Sequence, residues 1–298
     1  MQIIKRAARR IAEFLSRPVA SSLRHYSPPD AASQLLLAMS YRQMVASGGP
    51  LPPFSDTGFK AYSQTDEDGL LLFIFSLIGT TNRKCVEICA SDGVECNTAN
   101  LLVNHGWTGL LFDGNPELVR RGREFYQANR STYVDPPQFV CSWIKRDNIN
   151  DLLRQHGFVG EIDLLSLDMD GVDYWIWEAI DAIAPRVVVV EYQDIIGPER
   201  ALTVPYAEDF DAWGYPSTDG MPNFCGASLA AFVKLAHRKG YRLVGCNRYG
   251  YNAFFVKRGI GEQQLPEVPA VECFRHPKNA WGQQHRWPTV KHLPWVEV

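Results

Sequence analysis

Arg186-Val187-Val188-Val189-Val190-Glu191-Tyr192 is the stretch that decides the fold. Four consecutive β-branched residues leave no face for water, so a strand made of them belongs inside a sheet covered on both sides, as in parallel α/β proteins. The apolar run stops at a carboxylate. Upstream the same grammar repeats: expected strands 84–89, 108–113, 138–142, 162–168 and 186–192 alternate with expected helices 66–78, 94–105, 116–128, 147–156 and 173–182. Right-handed crossovers between such strands give a doubly wound, Rossmann-like α/β sheet with helices on both faces. Downstream, a helix over 227–239 leads to a strand at 241–246. Asn247 to Gly250 then permit a tight turn into a strand at 251–257, so the seven-stranded sheet is mostly parallel and closes with one antiparallel strand.

The rest of the 298-residue chain fits around this unit. Residues 60–258 form the expected domain, 1–59 a basic arm with a helical lead-in (a helix at 31–46, ended by Gly48, Gly49 and Pro50), and 259–298 an irregular, Pro- and Trp-rich tail packed on the domain. A hydrophobic content of 46% and a formal charge of -3 exclude a disordered chain and give no general reason to expect nucleic acid. The charge is unevenly spread. Lys5, Arg6, Arg9, Arg10, Arg17 and Arg24 stand against Glu13 alone in residues 1–25, where Ile3, Ala7, Ile11 and Phe14 recur at helical spacing. That pattern suits a membrane-surface helix or a presequence, and equally a solvated terminal helix. The longest apolar run, Leu70 to Ile78, is too short to span a bilayer. Seven cysteines without C-x-x-C spacing point to reduced thiols and a cytoplasmic protein, with peripheral membrane contact through the arm as the further expectation.

Ligands of open α/β sheets bind at the carboxyl ends of the strands. Here those ends carry Glu87 to Gly93, Asp113-Gly114, Ser142-Trp143, Asp168-Met169-Asp170-Gly171 and Glu191-Tyr192-Gln193. Asp113 lies 20 residues past Gly93, the spacing at which a carboxylate reaches ribose hydroxyls. A dinucleotide would need a glycine-rich, anion-free first turn. Instead Cys89 and Ser91 interrupt the fingerprint, and Glu87, Asp92 and Glu95 crowd it. Such a turn repels phosphate and suits a ligand with an ammonium and a sulfonium, such as S-adenosylmethionine.

Tyr62-Ser63-Gln64, Glu67-Asp68-Gly69, Val86-Glu87-Ile88 with Asp92-Gly93, Asn97-Thr98, Asp113, the Asp168-x-Asp170-Gly171-x-Asp173 turn and Glu191, taken in order, resemble the FkbM-type family of class I S-adenosylmethionine-dependent methyltransferases. The closing antiparallel strand is similar to that of the same class. The resemblance covers about residues 60–258. It implies O-methylation of a hydroxyl on a sugar or glycosylated metabolite. It also implies that Gln64, Glu87 and Ala90, Ser91, Asp92 and Gly93 hold the methionine portion with Asn97 and Thr98, that Asp113 and Gly114 meet the ribose, and that Ser142 and Trp143 surround the adenine. Many members carry glycine where this chain has Cys89, and a side chain there resists positive φ.

Asp168, Asp170 and Glu191 are the catalytic candidates: a general base, or alternatively three ligands of a divalent cation, with a metal-free base preferred. Asp168-x-Asp170-Gly171-Val172 also fits the first motif of haloacid dehalogenase-type phosphatases, but it comes on the fourth strand rather than the first. A non-catalytic membrane-associated adapter on the same sheet is the remaining alternative. His105, His156 and His237 fall on helices and read as structural, and Trp175 and Trp177 as core anchors. Asp173 fits a helix start as well as a site. The segment 193–224, rich in acids and aromatics, reads as a lid or a plain surface loop, and disfavours nucleic acid.

Overall fold

A computed structural model describes residues 30–298. The basic arm and its expected helix lie outside the described residues. Strands β1 (Lys84–Ile88), β2 (Thr108–Asp113), β3 (Gln138–Cys141), β4 (Gly160–Leu167), β5 (Ile183–Glu191), β6 (Tyr241–Cys246) and β7 (Asn252–Lys257) form one sheet in the order β3-β2-β1-β4-β5-β7-β6. All pairs are parallel except those of β7, which runs against both β5 and β6. The strand order reverses between β1 and β4, so their carboxyl ends flank the crevice where such sheets bind ligands.

The period of two along each strand sorts side chains into two cores. Val86, Ile88, Val188 and Val190 face helices α5 (Ile149–Gln155), α6 (Asp173–Ala179) and α7 (Leu229–Lys239), where Trp177 and Phe232 are almost wholly buried. Cys85, Leu111, Val187 and Val189 face α1 (Ala31–Ala46), α2 (Glu67–Ile78), α3 (Ala99–His105) and α4 (Pro116–Ala128). Truncating a buried aromatic such as Trp177 to alanine would cost about 3–5 kcal/mol.

The amino edge of the sheet is held by charge. Asp163, fully buried, accepts from the amides of Thr81, Asn82 and Arg83 and pairs with buried Arg186 at 2.8 Å. Removing either partner would leave a buried charge uncompensated, at about 3–5 kcal/mol.

Three expectations need correction. The helix expected over 94–105 begins only at Ala99, because residues 90–98 are folded around the Glu87 carboxylate. The segment 193–224 is not a free lid: Ile195, Ile196, Val204 and Phe224 are buried, and Leu202–Thr203 pairs with Val296–Glu297. Its own apolar residues give it a reason to pack. The tail is less irregular than expected, since α8 (Pro277–His285) caps the Asp194–Ile196 turn. Among the histidines, His105 meets Gln34, His156 meets Gln138 and His237 meets Glu267.

Candidate active site

The turn after β1 is built against backbone preference. Cys89 and Ser91 both hold positive φ, 62° and 55°. The resistance expected of Cys89 is therefore overcome, at a cost on the order of 1 kcal/mol per residue. Gly93, at φ 67°, lies so close to the Phe139 ring that a side chain would not fit.

Glu87 organises the chain beyond this turn. Its carboxylate accepts from the amides of Asn97 and Thr98, each at 2.9 Å, from the Thr98 hydroxyl and from Ser166 Oγ. Thr98 is completely buried in this arrangement and does not reach the cavity wall, whereas Asn97 does and also donates to Ser166 Oγ.

On the other side of the crevice, Asp68 gathers the amides of Ala61, Tyr62 and Ser63 within 2.7 Å, and Glu67 accepts from Thr65, Asn247 and Asn252. Gly69 permits the preceding segment, residues 57–59, to cross directly over the helix, where a Cβ would collide with the backbone at Thr57 and Phe59. Burial pushes the Asp68 carboxyl up to about 6. The Ser63-to-Gly69 motif thus shapes the loop that presents Gln64 to the cavity.

Between these walls lies a chamber of about 370 Å³, lined by Gln64, Glu87, Cys89 to Asp92, Glu95, Asn97, Asp168 to Asp170 and Asn252. Asn252 is almost fully buried; its Nδ2 donates to Glu67 while its Oδ1 has no hydrogen-bond partner among the described residues. Such an orphaned acceptor suits an incoming N–H donor.

A second, less polar chamber adjoins it, sharing Cys89 and Met169, and is lined by Gly114, Ser142, Trp143, Ile144, Gly171, Val172, Ala207, Glu208 and Phe210. Trp143 lies against Gly114, and its indole donates to the Glu208 carbonyl at 2.9 Å. Lys145 pairs with Glu208 at 2.6 Å, latching part of the 193–224 segment over this chamber.

Asp113 lines neither chamber. Its carboxylate accepts from Ser91 N and Asn115 N, so it braces the strained turn between them, and burial raises it above the usual carboxylate range.

The turn after β4 carries the third group of acids. Asp170 sits at φ 52°, and Asp173 pins the turn by accepting from Met169 N at 2.7 Å and Gly171 N at 3.1 Å. Asp173 therefore serves the loop as well as starting α6. Carboxylate oxygens of Asp168, Asp170 and Glu191 lie within 4.8 Å of one another. Burial first, then the Asp170 and Asp173 charges, push Asp168 up to about 7. Burial first, then the Asp168 and Asp170 charges, drive Glu191 far above its ordinary value. Asp168 faces the large chamber, Glu191 a smaller one with Tyr192, Gln193, Cys225, Tyr251 and Arg286, and Asp170 lines both.

Two wall residues carry no signal in the sequence: Asn252 opens a strand after a turn, and Arg286 arrives from the tail through packing alone. Nothing local in the chain marks them.

No family model matches the sequence, and no curated protein does. Among solved structures, the chain is similar to magnesium protoporphyrin IX methyltransferase (ChlM) from Synechocystis PCC 6803 with bound SAM: 11% identity, TM-score 0.37, over 75% of this chain and 79% of that one. It is also similar to the CcbJ methyltransferase from Streptomyces caelestis, with 13% identity and a TM-score of 0.36 over 60% and 90% of the two chains. The methyltransferase domain of a bacterial Hen1 gives 12% identity and a TM-score of 0.38 over 59% and 89%. Likenesses this low carry no assignment of activity to this chain.

Proposed function

We propose that the chain is an S-adenosylmethionine-dependent methyltransferase of FkbM type that methylates a hydroxyl of a carbohydrate-like acceptor. The observation that carries the reading is the paired chamber at the switch point. One half is acidic and holds an unpartnered amide oxygen; the other has an indole, a phenyl ring and a thioether. That division fits a ligand with a cationic amino-acid end and a flat heteroaromatic end. Asn252 Oδ1 and the carboxylates would hold the ammonium side, Trp143 and Phe210 the adenine, and Asp113 supports the turn beside the ribose.

When bound, S-adenosylmethionine supplies an electrophilic methyl on a cationic sulfur. The protein has to bring a hydroxyl oxygen in line with it and remove the proton. Asp168 is suited to the second task, because a carboxyl near neutrality can hold or release a proton at working pH. The chamber on the Glu191 side supports entry of the acceptor next to this trio, with Gln193, Tyr251 and Arg286 offering hydrogen bonds to a polyol. A second reading, favoured by the mutual 4.8 Å spacing, has Asp168, Asp170 and Glu191 ligating a divalent cation that acidifies the hydroxyl.

Isothermal titration with S-adenosylhomocysteine tests the cofactor: wild-type chain binds it, and Asn252→Ala and Trp143→Ala each weaken binding about tenfold. Absence of binding overturns the reading and favours the adapter. Magnesium titration separates base from metal: uptake lost in Asp170→Asn establishes the metal. Labelled cofactor with a cell extract then identifies the methylated acceptor by mass spectrometry.

A further inference from the structure

The methionine end of S-adenosylmethionine is a zwitterion, so a chamber that accepts its ammonium has a carboxylate to answer as well. The large chamber offers that carboxylate nothing but like charge: Glu87, Asp92, Glu95, Asp168 and Asp170 line it, and among the described residues no lysine, arginine or histidine does. A ligand carboxylate placed there without a cation is repelled. The cation has to come from the rim.

Among the described residues, Lys60 is the one basic side chain bonded to the chamber's walls. Its Nζ donates to the Gln64 carbonyl at 3.0 Å and to Glu95 Oε2 at 3.1 Å, and both of those residues line the chamber. An ammonium has three protons, and these contacts use two. The third is available to a ligand. Lys60 and Glu95 are 49% and 61% exposed, and an ion pair that open contributes little to stability, so the ammonium can share or exchange Glu95 without harm to the fold. The backbone around Lys60 is fixed on both sides: Phe59 O accepts from Gly69 N at 3.1 Å, and Ala61 N donates to buried Asp68 at 2.7 Å. Lys60 also lines an adjoining cavity of about 260 Å³ that shares Gln64 with the chamber. Arg248 lines that cavity too, but its guanidinium is turned to Asp66, 4.0 Å away.

We infer that Lys60 binds the carboxylate of the cofactor's methionine end, at the junction marked by Gln64. The amino-acid end then lies with its negative group at the rim and its ammonium inside, toward buried Asn252 Oδ1. This rests on the S-adenosylmethionine reading and supplies the charge partner that the acidic walls lack.

Isothermal titration with two probes tests it: S-adenosylhomocysteine, and its decarboxylated analogue, which keeps the adenosine and the ammonium. The wild-type chain binds S-adenosylhomocysteine about 10- to 100-fold more tightly than the analogue, the range of a charge-assisted hydrogen bond. Lys60→Gln abolishes that preference by weakening S-adenosylhomocysteine alone; its affinity for the analogue and its melting temperature stay those of the wild type. Lys60→Arg keeps the preference.

A wild-type chain that binds both probes equally overturns the inference and leaves the cofactor reading standing, as does a Lys60→Gln variant that still prefers S-adenosylhomocysteine. A preference lost in Arg248→Gln and kept in Lys60→Gln gives the carboxylate to Arg248 and overturns it equally. Binding of neither probe overturns the cofactor reading, and the role of Lys60 with it.

Discussion

The turns after β1 and β4 lie side by side, both force non-glycine residues into left-handed backbone, and both are flanked by carboxylates, yet the carboxylates do opposite things. Glu87 is surrounded by donors: two amides and two hydroxyls converge on it. Asp168 and Glu191 lie close to each other and to Asp170, with no such ring of donors among the described residues, and burial with mutual repulsion raises both above the usual carboxylate range. The number of N–H and O–H groups aimed at an acid, more than its burial, decides whether it becomes fixed architecture or a group that exchanges protons. From sequence alone Glu87 is a direct counter-charge for the cofactor; in the fold, protein donors already answer much of its charge.

Substitutions can break that contrast. The largest effect is expected from Asp168→Asn, which removes the proposed base. Turnover of the acceptor identified from extract falls about 100- to 10,000-fold, with S-adenosylhomocysteine affinity within a few-fold of wild type. Equal loss of turnover and cofactor binding would make Asp168 a binding group. Next is Glu87→Gln, whose amide turns a donor toward the Asn97 and Thr98 amides. Urea unfolding should record a loss of about 2–4 kcal/mol, and a neutral result would remove Glu87 from the architecture.

A pH series sharpens the same comparison. Asp168 stands near 7 in the folded chain and about 4 when unfolded, so the native state binds the extra proton between those values. Its contribution to stability is complete below about pH 4 and is lost as pH rises through about 7. Over that interval the fraction able to accept a proton increases. Activity and stability should therefore run in opposite directions from about pH 5 to about pH 8, and Asp168→Asn should flatten part of the stability slope. Asp68 and Asp173, each raised to about 6, add to the slope with the same sign and remain in the variant. The smallest effect is expected at Cys89→Gly, where relief of left-handed strain is offset by added chain entropy in the unfolded state. Its unfolding free energy should stay within about 1 kcal/mol of wild type.

The same physics separates the legible parts of the chain from the hidden ones. The Val187-to-Val190 run, the periodic helices and the Asn247-to-Gly250 turn reveal the sheet and its single reversed strand, because burial on two faces leaves a local trace. The acids at the strand ends are visible for the same reason, as polar residues interrupting apolar runs. Invisible are the uses of those acids. Whether Glu87 meets a ligand or the amides of Asn97 and Thr98 depends on how the intervening residues fold back, and that path carries no periodicity. Arg286 is hidden because the segment bearing it acquires order only by packing on the finished domain.

The Asp163 and Arg186 pair gives the two rims different fates under sequence change. At the rim it locks, substitutions should surface as failures of expression, since the amides of residues 81–83 are anchored on the Asp163 carboxylate. At the far rim they should surface as altered chemistry in a protein that still accumulates. A library aimed at new acceptors therefore belongs in the loops at the far rim, and the locked rim can be left untouched as the foundation on which such variants are assembled.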